Sequence, residues 1–366
     1  MKPQDRAWVR GPWLLFVVVT LAVGVVLRWV LSSTVPTSVL PTDFAFWRHA
    51  HSHLGYYGVL FPLAFAAWSA TSNKPASRRE TRFYLLCCAL SFVGFAAQGY
   101  KLLSIAASSV VGAVWVVHAV RHRGFLRRRD VLAPVPLALL ASVCFVPPIA
   151  VFTRRDPVLA NHLVHTFLGI LLLGVMAPTV FHLFVDDETR PPHLGWIGLA
   201  GAALLSVHLG PAPHVVLSLG AVLVAGVWLH TMVTSTMPWP LRLGVGATAL
   251  VLLFVPAAPT PLAPLATVGA LHWLILGVLL LGFAVHRWPL STLWQLTWVA
   301  TSAVLAGTLL LAALPALSTS SLQLQTVSGA CGGVLLLCVG WGAVEVRRRL
   351  AMEGGSADAG SKNGDV

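Results

Sequence analysis

Charge is what this chain has least of. Charged residues make up 10% of its 366 residues, where a soluble domain carries about 25%. Carboxylates are scarcest where they would matter most. Asp43, Asp130, Asp156, Asp186, Asp187, Glu188 and Glu345 fall in loops or at helix ends, and no apolar run holds an acid near its middle. Proton pumps and ion-coupled carriers draw on buried acids, so both are disfavoured. The five cysteines (Cys87, Cys88, Cys144, Cys331 and Cys338) form no CxxC pair, and each sits inside an apolar run. They read as small apolar residues, and the sequence points to neither a disulfide nor a thiolate metal site. Met176, Met232 and Met237 are scattered, which speaks against a thioether copper(I) relay. No internal repeat is visible, which weakens a carrier built from two matched halves.

What the chain has in abundance is hydrophobic sequence, 57% of all residues. The fold class this implies is all-α, a polytopic membrane protein. Apolar runs of about 17–25 residues are each long enough to cross a bilayer. Twelve are predicted, near 12–33, 49–70, 82–99, 102–120, 131–153, 160–185, 194–210, 213–235, 241–257, 263–285, 291–314 and 322–346. They form one transmembrane domain over residues 1–350. The Gly/Ser/Asp-rich tail, 351–366, is expected to be disordered. The first run lacks a small-residue cleavage site, so no cleavable signal peptide is expected.

Basic residues set the orientation. With the N-terminus cytoplasmic, 19 of the 24 Lys and Arg fall in inside segments, and Arg28, Arg48, Lys101, Arg154 and Arg155 stay outside. That bias places both termini in the cytoplasm. It also accounts for the net charge of +12 with the lipid bilayer as partner and no nucleic acid. A cell inner membrane is the expected location.

With sidedness fixed, the 14 histidines divide into two layers. His118, His122, His182, His193, His230 and His286 lie at or near cytoplasmic ends. His118 and His122 run into RHRGFLRRR and His286 abuts Arg287, so these three are expected to reach interfacial water. The outward half holds His49, His51, His53, His162, His165, His208, His214 and His272. Imidazole binds iron and copper while neutral, so it carries no charge into the bilayer. His162 and His165 are three apart and share a helix face, which suits one metal. His49 and His53 share another face, while His51 points about 160° away from both. His272 stands inside an uncharged run, where an unpaired imidazole costs several kcal/mol.

The stretch HAHSHLGYYG and the apolar run after it resemble the second helix of the heme-copper oxidase subunit I superfamily. The similarity is closer to its divergent members, including NnrS-type membrane proteins. That superfamily has twelve helices with both termini inside, and its ligands come from outward halves of helices two, six, seven and ten. The resemblance implies a heme held axially by His51 or His53 with His272. It implies a second metal, copper or another transition metal, on His162, His165 and His208, and heme propionates met by Arg28 and Arg48. It implies respiratory or nitric-oxide-related redox chemistry or sensing, with electron-donor or oxidase-complex subunits as partners. Helices seven and ten each carry one histidine where the oxidases carry two, and no tyrosine accompanies the sixth-helix histidines. This ligand set therefore supports one heme, with or without a second metal. As an alternative, NHLVHTFLGILLLGVMAPTVF resembles the histidine-bearing helix of copper-delivery assembly factors and implies a copper-handling or oxidase-assembly role.

Overall fold

The computed structural model describes residues 11–129, 131–185, 193–206, 214–254, 269–312 and 320–360. Among these residues the chain is all helical, without strands. Helix α1 is Gly11–Leu31. Helix α2, Phe44–His53, passes through a π-helical turn, Leu54–Leu60, straight into α3, Phe61–Ser72. Then come α4, Arg78–Gln98, α5, Leu102–Arg128, α6, Val135–Cys144, and α7, Val146–Arg155. Helix α8, Pro157–Leu171, runs through a second π turn, Leu172–Met176, into α9, Ala177–His182. Helices α10, α11 and α12 are Leu194–Ser206, His214–Thr234 and Trp239–Phe254. A third π turn, Trp273–Leu280, leads into α13, Leu281–Arg287. The chain closes with α14, Thr292–Ala312, and α15, Ser321–Gly360.

Nine helices among the described residues are long and apolar enough to cross a membrane, against the twelve expected. Within the described residues Leu194–Leu205 and Trp239–Leu253 are apolar but shorter, and the helix from Phe44 opens on the polar run FWRHAHSH. Helix α15 continues through 351–360, where composition predicts disorder. It extends a span whose costly nucleus has already formed. Residues 361–366 lie outside the described residues.

Three helices form the centre, and they are the three that carry π turns. In Pro157–His182, 78% of the apolar window is buried, compared with 22% in Pro12–Leu31. Helix α9 packs against both α3 and α13. Their C-terminal ends therefore lie together, and the ends bearing His51 and His53, His162 and His165, and His272 share the opposite side. Around this centre α1 packs on α2, on the first π turn and on α15, while α4 covers α2 and α5.

The first π turn is anchored by a buried hydrogen-bond chain. Trp115 Nε1 donates to the Tyr84 hydroxyl at 3.0 Å, and that hydroxyl donates to the Tyr57 carbonyl at 2.7 Å. Trp13 Nε1 donates to the Val59 carbonyl in the same turn at 3.0 Å. Replacing Tyr84 with Phe would leave an indole N–H and a carbonyl without partners. The expected loss is about 1–3 kcal/mol, read as a lower thermal midpoint of the purified protein in detergent. An unchanged midpoint would refute the role of this chain.

Candidate functional site

Asp43 starts the histidine-bearing helix by accepting from the Ala45 backbone N–H at 2.7 Å. From there the helical phase separates the three histidines. His51 turns toward α1, where its Nδ1 lies 2.8 Å from the Thr20 carbonyl oxygen. A carbonyl only accepts, so Nδ1 carries the proton and donates. Nε2 is left with its lone pair, the form in which imidazole binds a metal. Gly24, one turn beyond Thr20, makes room for the ring: a Cβ there would stand 2.9 Å from His51 Cε1.

Facing His51 is His272. The two ring centres are 6.4 Å apart and the planes differ by 13°. A metal ion at about 2.0–2.1 Å from one nitrogen of each ring, in line between them, sets ring centres about 6.3 Å apart. A ring-centre separation of this size would leave room for one metal bound by a nitrogen of each ring.

His53 faces the other way. It stacks on Phe95 with ring centres 3.9 Å apart, and its Nε2 shares a 3.2 Å hydrogen bond with the Tyr100 hydroxyl. His53 Nδ1 is buried with no hydrogen-bond partner among the described residues. His49 meets the same tyrosine edge-on at 4.7 Å. Burial pushes the Tyr100 phenol up to about 12, Arg48 opposing this weakly, so it stays protonated near neutral pH. Of the two histidines expected opposite His272, the structure therefore brings up His51 and turns His53 into an aromatic box.

Arg28 stands two turns beyond Thr20 on the same face of α1, and its Nη1 donates to Gln325 Oε1 at 3.2 Å. That puts a cation just past His51. Arg48 is exposed. His162 and His165 are half-buried on α8, the His162 carbonyl accepting from the Thr166 hydroxyl at 3.0 Å. Among the described residues no group of three or more His, Cys, Asp or Glu stands ready to hold a metal. His208, the remaining candidate, lies outside the described residues.

The histidines expected at the cytoplasmic side depart from expectation. His118 and His122 are 4% and 1% exposed, so they are core residues and not interfacial ones. Their basic neighbours on α5 do reach the surface, but these two rings are covered by α3. Phe65 stacks on His118 at 4.3 Å, and Ser72 bonds His122. His286, by contrast, is exposed as expected.

The π turns are a feature that spacing arguments missed, though a signal was present. The pattern H-x-x-x-x-G-V-L occurs at His53–Leu60 and again at His272–Leu279, and in both the π turn starts on the residue after the histidine. The second π turn, Leu172–Met176, holds Gly174-Val175. Such turns concentrate at functional sites. Glycine lets a neighbour close over each widened turn: a Cβ on Gly58 would stand 2.8 Å from the Phe16 ring, and one on Gly174 3.0 Å from Leu199.

No family model, no curated protein and no solved structure matches this chain.

Proposed function

We propose that this multi-pass membrane protein binds a heme, which His51 and His272 would hold. The observation that carries the reading is the near-parallel imidazole pair at 6.4 Å, one ring of which has its tautomer fixed by Thr20. A bare divalent ion held by protein needs three or four donors, and among the described residues no such group exists. A tetrapyrrole brings four nitrogens of its own, so two histidines on neighbouring helices would suffice to hold it.

When bound, heme supplies one-electron or diatomic-gas chemistry. The chain's residues do the rest. Thr20 orients His51 and makes it a better donor. Gly24 admits its ring beside α1. Arg28 offers a guanidinium to a propionate by charge-assisted hydrogen bonding. A heme held by two histidines would suit electron transfer or sensing. The basic-residue bias supports cytoplasmic termini and a heme near the outward face of a cell membrane, reached by an electron donor there.

The test is an absorption spectrum of the purified protein, before and after heme supplementation. A Soret band with the sharp, split visible bands of a six-coordinate low-spin heme is the expected result. Absence of any Soret band after supplementation overturns the reading. Copper retained on His162 and His165 without heme would favour the copper-handling alternative.

A further inference from the structure

The buried histidines at the other end of the bundle make a second, separate constellation. His118 and His122 lie four apart on α5, with ring centres 6.0 Å apart and planes 12° from parallel. Helix α3 faces them with Phe65, Ser69 and Ser72, which follow i, i+4, i+7 spacing and so form one stripe. Phe65 lies on His118 and Ser72 on His122, and Ser69 falls between those two contacts along the stripe.

Hydrogen bonding fixes the state of His122. The Ser72 hydroxyl donates its proton to the Trp68 carbonyl at 2.6 Å. Having spent that proton, its oxygen accepts from His122 Nδ1, 2.7 Å away. His122 Nε2 is therefore a bare lone pair. It is buried and has no hydrogen-bond partner among the described residues, and the same is true of the Ser69 hydroxyl. Two unsatisfied polar atoms on packed helices, in residues 1% and 2% exposed, call for a ligand or water.

Charge narrows the choice of ligand. Arg121 Nη1 donates to Glu80 Oε1 at 2.8 Å, and Lys74 Nζ donates to the Arg121 carbonyl at 3.3 Å. Glu80 also takes the Ser77 backbone N–H at 2.7 Å. Glu80 is thus already engaged, and among the described residues no further carboxylate is found beside the pair to balance a dication. A monovalent ion that accepts two neutral imidazoles is the best match. Copper(I), with its filled d shell and tolerance of linear coordination, has that character.

We propose that His118 and His122 form a copper(I) site at the cytoplasmic end of the bundle, with His122 Nε2 as one ligand, the His118 imidazole as the other, and the Ser69 hydroxyl beside it. The site is independent of the heme reading. It differs also from the metal set expected from sequence, which used His162, His165 and His208.

The test is a competition titration of the purified full chain with copper(I) under reductant, against a coloured copper(I) chelator. The wild type should retain one equivalent. His122→Ala should weaken binding by about 100-fold, and Ser72→Ala, which releases the His122 tautomer, by about tenfold. His51→Ala should leave it unchanged. Far-ultraviolet circular dichroism of each variant separates loss of the site from loss of the fold. The proposal fails if the wild type retains no copper(I), the space then holding water only. It also fails if a folded His122→Ala protein binds as the wild type does, or if zinc(II) binds as tightly as copper(I).

Discussion

Replacing His51 with alanine is expected to strip the protein of its heme, while replacing His53 leaves the Soret band in place. The two residues are separated by one serine in the sequence and by nearly half a helical turn in space. His51 stands 6.4 Å from His272, where the proposed heme would be held, whereas His53 is committed to Phe95 and Tyr100. Losing an axial ligand should lower heme occupancy by more than the 10- to 100-fold typical of an outer-shell change. His272→Ala should match it. Gly24→Val gives a graded version, because its Cβ would start 2.9 Å from His51 Cε1 and push a ligand it does not replace. Pyridine hemochrome assay of each variant, expressed with excess heme, measures the outcome. Equal retention by His51→Ala and His53→Ala would remove His51 from the site.

The largest expected loss of stability is at Gly244. A Cβ there would lie 2.6 Å from the Gly277 carbonyl oxygen and 3.5 Å from the Gly277 carbonyl carbon. The obstacle is backbone on a neighbouring helix, so no rotamer change relieves it. Lipid tails are as apolar as leucine, and helices in a bilayer depend on such close approaches for their packing. Gly244→Leu must therefore push α12 off the π turn that follows His272. Overpacking of this kind costs about 1–3 kcal/mol, and backbone-on-backbone collision puts it at the upper end. Heme occupancy should fall with it, although neither ligand is touched. Gly307, with nothing within 4 Å of its Cβ position, is the control. Gly307→Ala sits mid-helix and should be neutral or stabilising by up to about 1 kcal/mol. Thermal midpoints in detergent compare the two, and a Gly244→Leu midpoint equal to that of wild type would sink the packing account.

The helices were legible in the sequence because hydrophobic run length and bilayer thickness answer to each other. Within the described residues each of the twelve predicted runs holds helix, nine of them long and apolar enough to cross a membrane, and the helix from Phe44 has a polar start. The phase of His49, His51 and His53 was legible too, since it needs only 100° per residue. Which of them would meet His272 was not. That depends on the Thr20 carbonyl and the missing side chain at Gly24, both on α1. The cytoplasmic histidines misled for a related reason. His118 and His122 sit beside RHRGFLRRR, and adjacency suggested a shared environment. Their burial is decided by Phe65 and Ser72 on α3, about which the local sequence of α5 says nothing. The π turns escaped because periodicity arguments assume 3.6 residues per turn throughout, and one widened turn shifts the phase without changing composition.

That shift has a consequence for how the molecule can vary. A π turn holds one residue more than the α-helical turn it replaces. Deleting a single residue from Leu54–Leu60 or from Trp273–Leu280 would restore regular winding and keep the membrane-crossing length nearly intact. It would also swing the histidine-bearing end by about 100° relative to the buried end. The inserted residue therefore acts as an angular offset between the half of each helix that packs and the half that carries imidazole. Length in these two turns is under tighter constraint than residue identity, and a one-residue gap would be more damaging there than most substitutions.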